Sequence, residues 1–401
     1  MIVVQINFTC EWGSTGKICD SVSKLLTQKN YDNYIFYIHG NEYREKRNYV
    51  KYSNYVYTKF QAIKARVLGN YGFNSSFSTK LLINRLEKIN PDIIHIHNIH
   101  GHDCNFEMLF DFLRKKRIKA FYTFHDCWAF TGYCPHFVMA KCDRWLSGCG
   151  NCVLRNKYSW FFDKSAKNFI RKKNALKDLN LTIITPSQWL AGLVKESFLK
   201  DYSVEVINNG IDLSTFNPIQ SDFREKNNLQ NKLVVLGVAF CWGVSKGLDV
   251  FIELAKRLDP DKYQIVLVGT DNRVDKQLPP NIISIHRTHN QQELAEIYSA
   301  ADVFVNPTRE ENYPTVNMES IACGTPVLTF RTGGSPEMLD ETCGSVVDCD
   351  DIDALEKEIV RICEEKPYSI EQCINKAKEF DKNEKYKEYL ELYERIISSG
   401  T

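Results

Sequence analysis

Short runs rich in valine and isoleucine alternate with longer amphipathic segments along this chain of 401 residues. Runs of this kind predict the strands of parallel sheets that are covered by helices. The first half holds five candidate strands, which are Ile2–Asn7, Tyr34–Ile38, Ile93–Ile96, Ala120–Thr123 and Thr182–Thr185. The second half holds five more, which are Val234–Gly237, Gln264–Val268, Ile282–Ile285, Val303–Asn306 and Val327–Phe330. Two such sets predict an α/β protein with two doubly wound, Rossmann-like domains.

The junction between the two sets is expected at Asn-Gly-Ile-Asp, residues 209–212, because a polar segment follows it. We therefore predict an N-terminal domain over residues 1–212 and a C-terminal domain over residues 213–381. The last stretch, 382–401, is predicted to be a helix with one apolar face, formed by Tyr386, Tyr389, Leu390, Leu392 and Tyr393.

The charge of the chain is divided unevenly between its halves. Residues 1–200 carry 30 Lys and Arg against 15 Asp and Glu, whereas residues 201–401 carry 21 against 35. A basic N-terminal half indicates an anionic partner, such as a membrane surface, a phosphate-bearing acceptor or nucleic acid. The chain lacks a signal-peptide pattern and any run of the roughly 18 apolar residues that span a bilayer. We therefore expect a cytoplasmic protein, in which the 14 cysteines are mostly thiols or metal ligands.

One run of 29 residues, from Arg309 to Glu337, carries the densest chemistry. Glu311 stands in a predicted loop, and Glu319 lies about one turn into a predicted helix over Thr315–Cys323 that ends at Gly324. The start of such a helix offers free N–H groups and the positive end of its dipole to an anion. A carboxylate, a helix N-terminus and the Gly-Gly turn at 333–334 together suit a nucleotide-sugar.

This run resembles the donor site of glycosyltransferase family 4, since it combines E-x7-E with A-C-G-x-P-V and G-G-x-x-E. The resemblance implies a retaining transferase of the GT-B fold, whose two Rossmann-like domains face a central cleft. It also implies that the C-terminal domain binds a nucleotide-sugar, that the N-terminal domain binds the acceptor, and that the last helix crosses back onto the N-terminal domain. A UDP-sugar and surface-polysaccharide assembly are the favoured donor and setting.

The resemblance also assigns roles to residues. It gives catalytic roles to His125, Glu311 and Lys246, with Lys246 on the diphosphate and His125 beside the sugar hydroxyls. The predicted donor-binding set is Gly13, Gly16, Lys246, Glu311, Asn312, Tyr313, Pro314, Thr315 and Glu319. Many relatives carry an arginine about five residues before the lysine, but this chain has Cys241 or Trp242 there. A second cation would have to come from elsewhere, such as Arg309 or Lys17.

Two other motifs invite nucleotide or metal sites. Gly13-Ser14-Thr15-Gly16-Lys17 fails as a P-loop, because residue 11 is Glu and Ile18 replaces the Ser or Thr that would hold magnesium. It is better interpreted as a glycine-rich β–α turn at the carboxyl edge of the sheet. The histidine-rich segment 95–102 could bind zinc, but the resemblance favours polar residues that line the cleft, with Asn98 and His100 as candidates.

Four cysteines, Cys134, Cys142, Cys149 and Cys152, fall within 19 residues and predict a structural zinc site. Reduced core thiols are the alternative, and catalysis is expected to need no cofactor. No basic recognition helix follows in zinc-finger register, so nucleic acid is not an expected partner.

Basic stretches at Arg114–Lys119 and Arg171–Lys177 could instead lie on anionic lipid at the cytoplasmic membrane face. A saccharide acceptor carried on a polyprenyl diphosphate would explain them. Two alternative functions remain at this stage. One is a GT-B nucleotide-sugar epimerase, and the other is a non-catalytic binding module held together by zinc.

Overall fold

The computed structural model describes residues 1–40 and 48–398. The chain forms two compact units, one of Met1–Asn208 together with the stretch from Lys385 onward, and one of Asn209–Glu384. Each unit is an α/β fold built on its own parallel sheet. The sequence placed the two boundaries at residues 212 and 381, within four residues of the observed ones.

Unit 1 is a seven-stranded parallel sheet with the strand order β3-β2-β1-β4-β5-β6-β7. Its strands are β1 (Ile2–Ile6), β2 (Asp32–Tyr37), β3 (Tyr49–Lys51), β4 (Ile93–Ile96), β5 (Lys119–Thr123), β6 (Leu181–Thr185) and β7 (Ser203–Val206). Its helices are α1 (Gly13–Gln28), α2 (Tyr55–Leu68), α3 (Ser76–Ile89), α4 (Phe106–Lys116), α5 (Arg155–Tyr158), α6 (Ser165–Ala175) and α7 (Gln188–Glu196). Short 3-10 turns lie at Trp128–Phe130 and Arg144–Leu146.

Unit 2 is a six-stranded parallel sheet with the order β10-β9-β8-β11-β12-β13. Its strands are β8 (Leu233–Val238), β9 (Tyr263–Val268), β10 (Ile282–Ile285), β11 (Val303–Asn306), β12 (Val327–Phe330) and β13 (Gly344–Val347). Its helices are α8 (Phe223–Lys226), α9 (Leu248–Arg257), α10 (Asn272–Asp275), α11 (Gln291–Ser299), α12 (Thr315–Ala322), α13 (Ile352–Glu365) and α14 (Ile370–Ala377). Three 3-10 turns, at Val244–Lys246, Ser335–Met338 and Lys378–Phe380, complete this unit.

All ten predicted strands are present, and three further strands were missed. The missed strands are β3, β7 and β13, and each of them forms an edge of its sheet. An edge strand buries less of its surface than a central one, so it can carry polar residues and needs no continuous apolar run. The sequences Tyr-Val-Lys, Ser-Val-Glu-Val and Gly-Ser-Val-Val fit that description.

The C-terminal helix, α15 (Lys382–Ser398), belongs to unit 1 from Lys385 onward. The predicted apolar face of this helix is confirmed, because all five of its residues are buried in one cluster with Val3, Ile18 and Phe121. Tyr393 also hydrogen-bonds Nδ1 of His95 on β4, which ties the helix to the centre of the sheet. The end of the predicted helix, residues 399–401, lies outside the described residues.

Candidate donor site and neighbouring clusters

Unit 2 has its topological switch point between β8 and β11. These strands are neighbours, but β9 lies beyond β8 on one side and β12 lies beyond β11 on the other. The connections that leave β8 and β11 therefore diverge and open a crevice at the carboxyl edge of the sheet, where open α/β sheets bind their ligands. Lys246 follows β8 and Glu311 follows β11, so the topology brings both predicted residues to this edge.

Lys246 and Glu311 form an ion pair at the switch point. Nζ of Lys246 lies 2.6 Å from Oε2 of Glu311, and the side chains retain 35% and 21% of their exposure. The other carboxylate oxygen, Oε1, accepts a hydrogen bond from the backbone N–H of Asn312 at 3.1 Å. The pair is thus positioned by the backbone but remains open to a ligand.

The Gly-Gly turn at residues 333–334 packs against the Glu311 loop. Gly333 has φ +57°, and a Cβ on it would lie 2.0 Å from the carbonyl oxygen of Glu311. The N–H of Gly334 donates to the carbonyl oxygen of Asn312 at 2.7 Å. Only glycine permits both the left-handed conformation and this close approach, so the Gly-Gly turn holds the Glu311 loop in place.

The start of α12 faces the same loop. Pro314 occupies the N-cap, and in the described part of the chain no side-chain hydrogen bond caps the helix there. Asn209 holds the entry to the helix by donating to the carbonyl oxygen of Tyr313 at 3.2 Å. The first N–H groups of a helix are donors for an anion, so Tyr313, Pro314 and Thr315 stay predicted donor-site residues, although Pro314 itself carries no N–H. The observed helix also begins at the predicted residue.

Glu319 lies one turn into α12 and is only partly exposed. Its Oε2 accepts a hydrogen bond from the hydroxyl of Tyr298 at 3.3 Å. Burial raises the pKa of Tyr298 well above its usual range, and the neighbouring charge of Glu319 raises it further. The tyrosine therefore stays a neutral donor that orients the carboxylate. The sequence did not predict this role, because Tyr298 stands in an ordinary helical pattern.

The second cation predicted for this site is not supplied by Arg309. Its guanidinium forms two hydrogen bonds of 2.8 Å with Asp249 and one of 2.6 Å with Asp350. The side chain is only 12% exposed, so its charge is already neutralised within unit 2. Lys17 is exposed on α1 in unit 1. Of the two candidates for the position of the missing arginine, Cys241 is exposed, and Trp242 is buried with its Nε1 donating to the carbonyl oxygen of Val268 at 2.9 Å.

Unit 1 has a switch point of its own, between β1 and β4. Gly13 (φ +69°) opens α1 after β1, and Gly16 packs so closely that a Cβ would lie 2.9 Å from Oγ1 of Thr9. Asn7, at the end of β1, accepts from the N–H of Asn98 at 3.1 Å and donates to the carbonyl oxygen of Thr9 at 2.8 Å. It therefore joins the loops after β1 and β4. The sequence analysis did not assign this role to Asn7, but its position as a polar residue directly after the apolar run Ile-Val-Val-Gln-Ile could have indicated it.

His100 and His125 belong to one polar cluster at this edge. Nε2 of His100 lies 2.9 Å from Oδ2 of Asp126, and Nε2 of His125 lies 3.2 Å from Nδ1 of His97. Burial is the main cause that lowers the pKa of His125 to about 4; Asp126 opposes the shift, and His100 adds to it. Burial alone would raise the pKa of Asp126, but His100 holds it at about 2. At neutral pH His125 is therefore a neutral imidazole beside an ionised carboxylate.

The histidine-rich segment shows no arrangement suited to a metal ion in the described residues. Among residues 1–40 and 48–398, no group of three or more His, Cys, Asp or Glu side chains is arranged to hold a metal ion. His95 has both ring nitrogens occupied, one by Tyr393 and one by Thr123 at 2.7 Å. Burial lowers its pKa to about 3, so it is a neutral core residue. Asn98 and His100 remain the polar candidates that the sequence favoured.

The four cysteines converge in one loop-rich segment. Cys134 and Cys149 are close enough to Cys152 that each thiol raises the pKa of its neighbours, although burial is the larger cause and brings Cys134 to about 12 and Cys149 to about 11. The N–H of Gly132 donates to Sγ of Cys149 at 3.2 Å, a contact that suits a metal-bound thiolate. The thiols are not in metal-binding geometry as described, and the zinc site stays a prediction for Cys134, Cys142, Cys149 and Cys152.

Three residues of the two basic stretches are used inside unit 1, whereas Lys115, Lys116, Arg117, Lys173 and Lys177 are exposed, so the lipid contact of these stretches stays a prediction. Arg114, on α4, donates to the carbonyl oxygens of Ala175 at 2.6 Å and of Asn174 at 3.2 Å. Arg171, on α6, pairs with Glu107. Lys172 is fully buried and donates to backbone carbonyl oxygens beside the ring of Trp128. These contacts join α4 and α6 to the core.

Comparison with known proteins identifies the family of this chain. Residues 17–215 match the family model for Glycosyltransferase Family 4, and residues 230–365 match that for Glycosyl transferases group 1. The chain is 22% identical over 363 residues to a relative in Escherichia coli K12 named as the colanic acid biosynthesis glycosyl transferase WcaC, with 86% of this chain and 87% of the relative covered. It is 28% identical over 216 residues to the Campylobacter jejuni N,N'-diacetylbacillosaminyl-diphospho-undecaprenol alpha-1,3-N-acetylgalactosaminyltransferase, with 50% of this chain and 57% of the relative covered.

Solved structures show the same fold. The sucrose-phosphate synthase of Thermosynechococcus elongatus superposes with a TM-score of 0.71 at 16% identity over 99% of both chains. Anabaena HepE, solved in complex with UDP, gives 0.70 at 14% identity over 98% of this chain and 100% of that one. The predicted GT-B class is confirmed. Since the two family models together match most of the chain, it belongs to glycosyltransferase family 4 and is a glycosyltransferase.

Proposed function

We propose that this protein transfers a sugar from a UDP-sugar to a lipid-linked saccharide acceptor, with retention of configuration at the anomeric carbon. The Lys246–Glu311 ion pair of 2.6 Å carries this proposal, because it sits at the switch point of unit 2 beside the uncapped start of α12. A cation, a carboxylate and a set of N–H donors are the groups that a nucleotide diphosphate sugar requires.

The proposed division of labour follows from the chemistry of each group. Lys246 and the N–H groups at Tyr313–Thr315 would bind the diphosphate. Glu319, oriented by Tyr298, would accept hydrogen bonds from the ribose hydroxyls. Glu311 would accept from the sugar hydroxyls. Because Lys246 already has a carboxylate partner, diphosphate binding must share or open that pair, which costs only about 0.2–1 kcal/mol for a partly exposed pair.

The proposed reaction is a front-face displacement. The acceptor hydroxyl attacks the anomeric carbon as the bond from that carbon to the phosphate oxygen breaks, and the leaving phosphate takes the proton of the hydroxyl. Lys246 and the helix N-terminus stabilise the charge that develops on the diphosphate. His125 is neutral at pH 7 because its pKa is about 4, and it would accept a hydrogen bond from a sugar hydroxyl. Positioning and charge stabilisation would supply the rate enhancement.

The choice of UDP and of a lipid-linked acceptor is supported by the relatives. HepE was solved with UDP and with UDP-glucose, and the name of the Campylobacter relative specifies a diphospho-undecaprenol acceptor. Such an acceptor would place the enzyme at the cytoplasmic face of a membrane. In the described part of the chain no helix is long and apolar enough to cross a bilayer.

Proton NMR of the product tests the proposal. The protein is incubated with UDP-sugars and with undecaprenyl-diphosphate saccharides, and the anomeric coupling constant of the new linkage is compared with that of the donor. Retention supports the proposed mechanism, and inversion refutes it. A tube without acceptor is the control, since a donor epimerised there would indicate a nucleotide-sugar epimerase instead.

A further inference from the structure

Helix α2 in unit 1 presents its large apolar side chains to solvent. Val56 is 77% exposed, Phe60 is 63% exposed and Ile63 is 54% exposed, whereas the buried residues of this helix are Gln61 and Ala65. Residues at positions i, i+4 and i+7 share one face of a helix, so the three apolar residues form a single stripe. A helix that only supported the sheet would point this stripe inward.

Basic residues flank the stripe on both sides. By helical periodicity Lys59 and Arg66 lie along one flank and Lys64 along the other, and α2 contains no acidic residue. Residues 55–89, which span α2 and α3, hold six basic residues and one acidic residue. A helix with an apolar stripe between lysines and arginines is suited to lie in the interface of an anionic bilayer.

An aromatic loop continues the stripe at the C-terminal end of α2. The N–H of Trp160 donates to the carbonyl oxygen of Arg66 at 2.8 Å, which fixes the loop beside the last turn of the helix. Trp160, Phe161 and Phe162 are each at least half exposed. Nζ of Lys164 lies 5.6 Å from the centre of the Phe162 ring. Tryptophan beside lysine is the composition of the membrane–water interface.

We propose that Val56, Phe60, Ile63, Trp160, Phe161 and Phe162, here called the apolar patch, dock unit 1 onto an anionic lipid surface. A protein partner would also bury apolar residues, but the basic flanks and the absence of acidic residues on α2 match the charge of anionic headgroups. The inference rests on the proposed lipid-linked acceptor, which would be presented at that surface. It adds to the two basic stretches, in which Arg114, Arg171 and Lys172 are used internally while the other lysines and arginines are mostly exposed.

Co-sedimentation with vesicles tests the proposal. The full chain is mixed with vesicles of phosphatidylglycerol and phosphatidylcholine, or of phosphatidylcholine alone, at low and high salt. We expect binding to the anionic vesicles only, weakened by salt because the basic flanks are screened. The variant V56S/F60S/I63S should lower the partition coefficient by about tenfold or more, because three side chains lose the apolar area that they would bury in the bilayer.

Matched variants separate the causes. Ile370→Ser, an equally exposed apolar residue in unit 2, should leave vesicle binding unchanged. K59Q/K64Q/R66Q should remove the salt dependence, whereas K167Q/K195Q/K200Q, three exposed lysines elsewhere in unit 1, should retain it. Stabilisation of each variant by UDP is measured in parallel. A variant that loses vesicle binding but still binds UDP shows that the patch serves lipid binding and not the nucleotide site. A parent that binds vesicles but no nucleotide would count against the proposed function.

Two results would overturn the inference. One is equal partition of the parent and V56S/F60S/I63S into anionic vesicles. The other is a parent that does not bind vesicles but is dimeric by light scattering, with the triple variant monomeric, because the patch would then be covered by a second copy of the chain.

Discussion

The Lys246–Glu311 pair predicts opposite effects of one substitution on two ligands. The ammonium of Lys246 donates to the carboxylate of Glu311 at 2.6 Å. Glu311→Gln removes this competing charge while it keeps the size of the side chain. UDP alone should then bind more tightly, because Lys246 is released to the diphosphate. The complete UDP-sugar should bind less tightly, because an amide accepts hydrogen bonds from sugar hydroxyls more weakly than a carboxylate does.

The magnitudes follow from the exposure of the pair. A partly exposed ion pair contributes about 0.2–1 kcal/mol, so UDP should gain up to about fivefold in affinity. The sugar loses hydrogen bonds to a charged group, each worth about 1.5–3 kcal/mol; after the gain of about 0.2–1 kcal/mol at the diphosphate, the loss of one such bond weakens the full donor by about two- to hundredfold. Lys246→Ala should weaken both ligands, since both carry the diphosphate.

Isothermal titration calorimetry of the parent, Glu311→Gln and Lys246→Ala with UDP and with the preferred UDP-sugar measures all six affinities. Glu310→Gln, the neighbouring carboxylate, is the control and should change neither ligand by more than about twofold, the shift expected away from the site. If Glu311→Gln weakens UDP and UDP-sugar equally, Glu311 does not compete for Lys246 and the assignment of the two residues is wrong.

Three further predictions concern the supports of the site and of unit 1. Gly333→Ala should destabilise the protein by about 1–3 kcal/mol and weaken UDP-sugar binding, because the new Cβ meets the Glu311 carbonyl oxygen. Urea unfolding measures the change in stability. Gly192→Ala is the control, because a Cβ there meets no atom within 4 Å. Burial holds the pKa of His95 at about 3, so only the unfolded chain takes up this proton between about pH 6.5 and pH 3, and stability falls as the pH drops through that window. His95→Gln should make the dependence shallower by about 1.4 kcal/mol per pH unit, and an unchanged slope would contradict the assignment. Elemental analysis should find one zinc per chain in the parent and none in Cys149→Ser, and a metal-free parent would leave the cysteines as reduced thiols.

The sequence could predict the central strands because burial on both faces demands apolar residues there. The ten predicted strands include the four at the two switch points, β1, β4, β8 and β11, so the loops that carry the candidate sites were placed correctly. The edge strands β3, β7 and β13 carry no comparable signal, since one side of an edge strand faces solvent, and only the edge strand β10 was apolar enough to be predicted. The start of α12 was also predictable, because proline in a helix's first turn is a local property of the chain.

Pairings between distant residues could not be predicted in the same way. Nothing in the sequence around Arg309 shows that its guanidinium is taken by Asp249, sixty residues earlier, and by Asp350. The basic stretch at Arg171–Lys177 likewise reads as exposed charge, yet Lys172 is buried against the ring of Trp128. The apolar stripe of α2 has the period of a buried helix face, and only the fold shows that it points outward. Long side chains that choose their partners by tertiary contact leave no mark in local periodicity.

The central claim is that unit 2 binds a nucleotide diphosphate sugar through Lys246, Glu311 and Glu319. The most direct measurement is thermal stabilisation of the parent and of Glu319→Ala by UDP, GDP, ADP and their sugars. The account predicts a selective upward shift of the melting temperature with UDP and UDP-sugars, and its loss in Glu319→Ala because the ribose contact is gone. An equal shift in the parent and in Glu319→Ala, or no shift with any nucleotide, would contradict it.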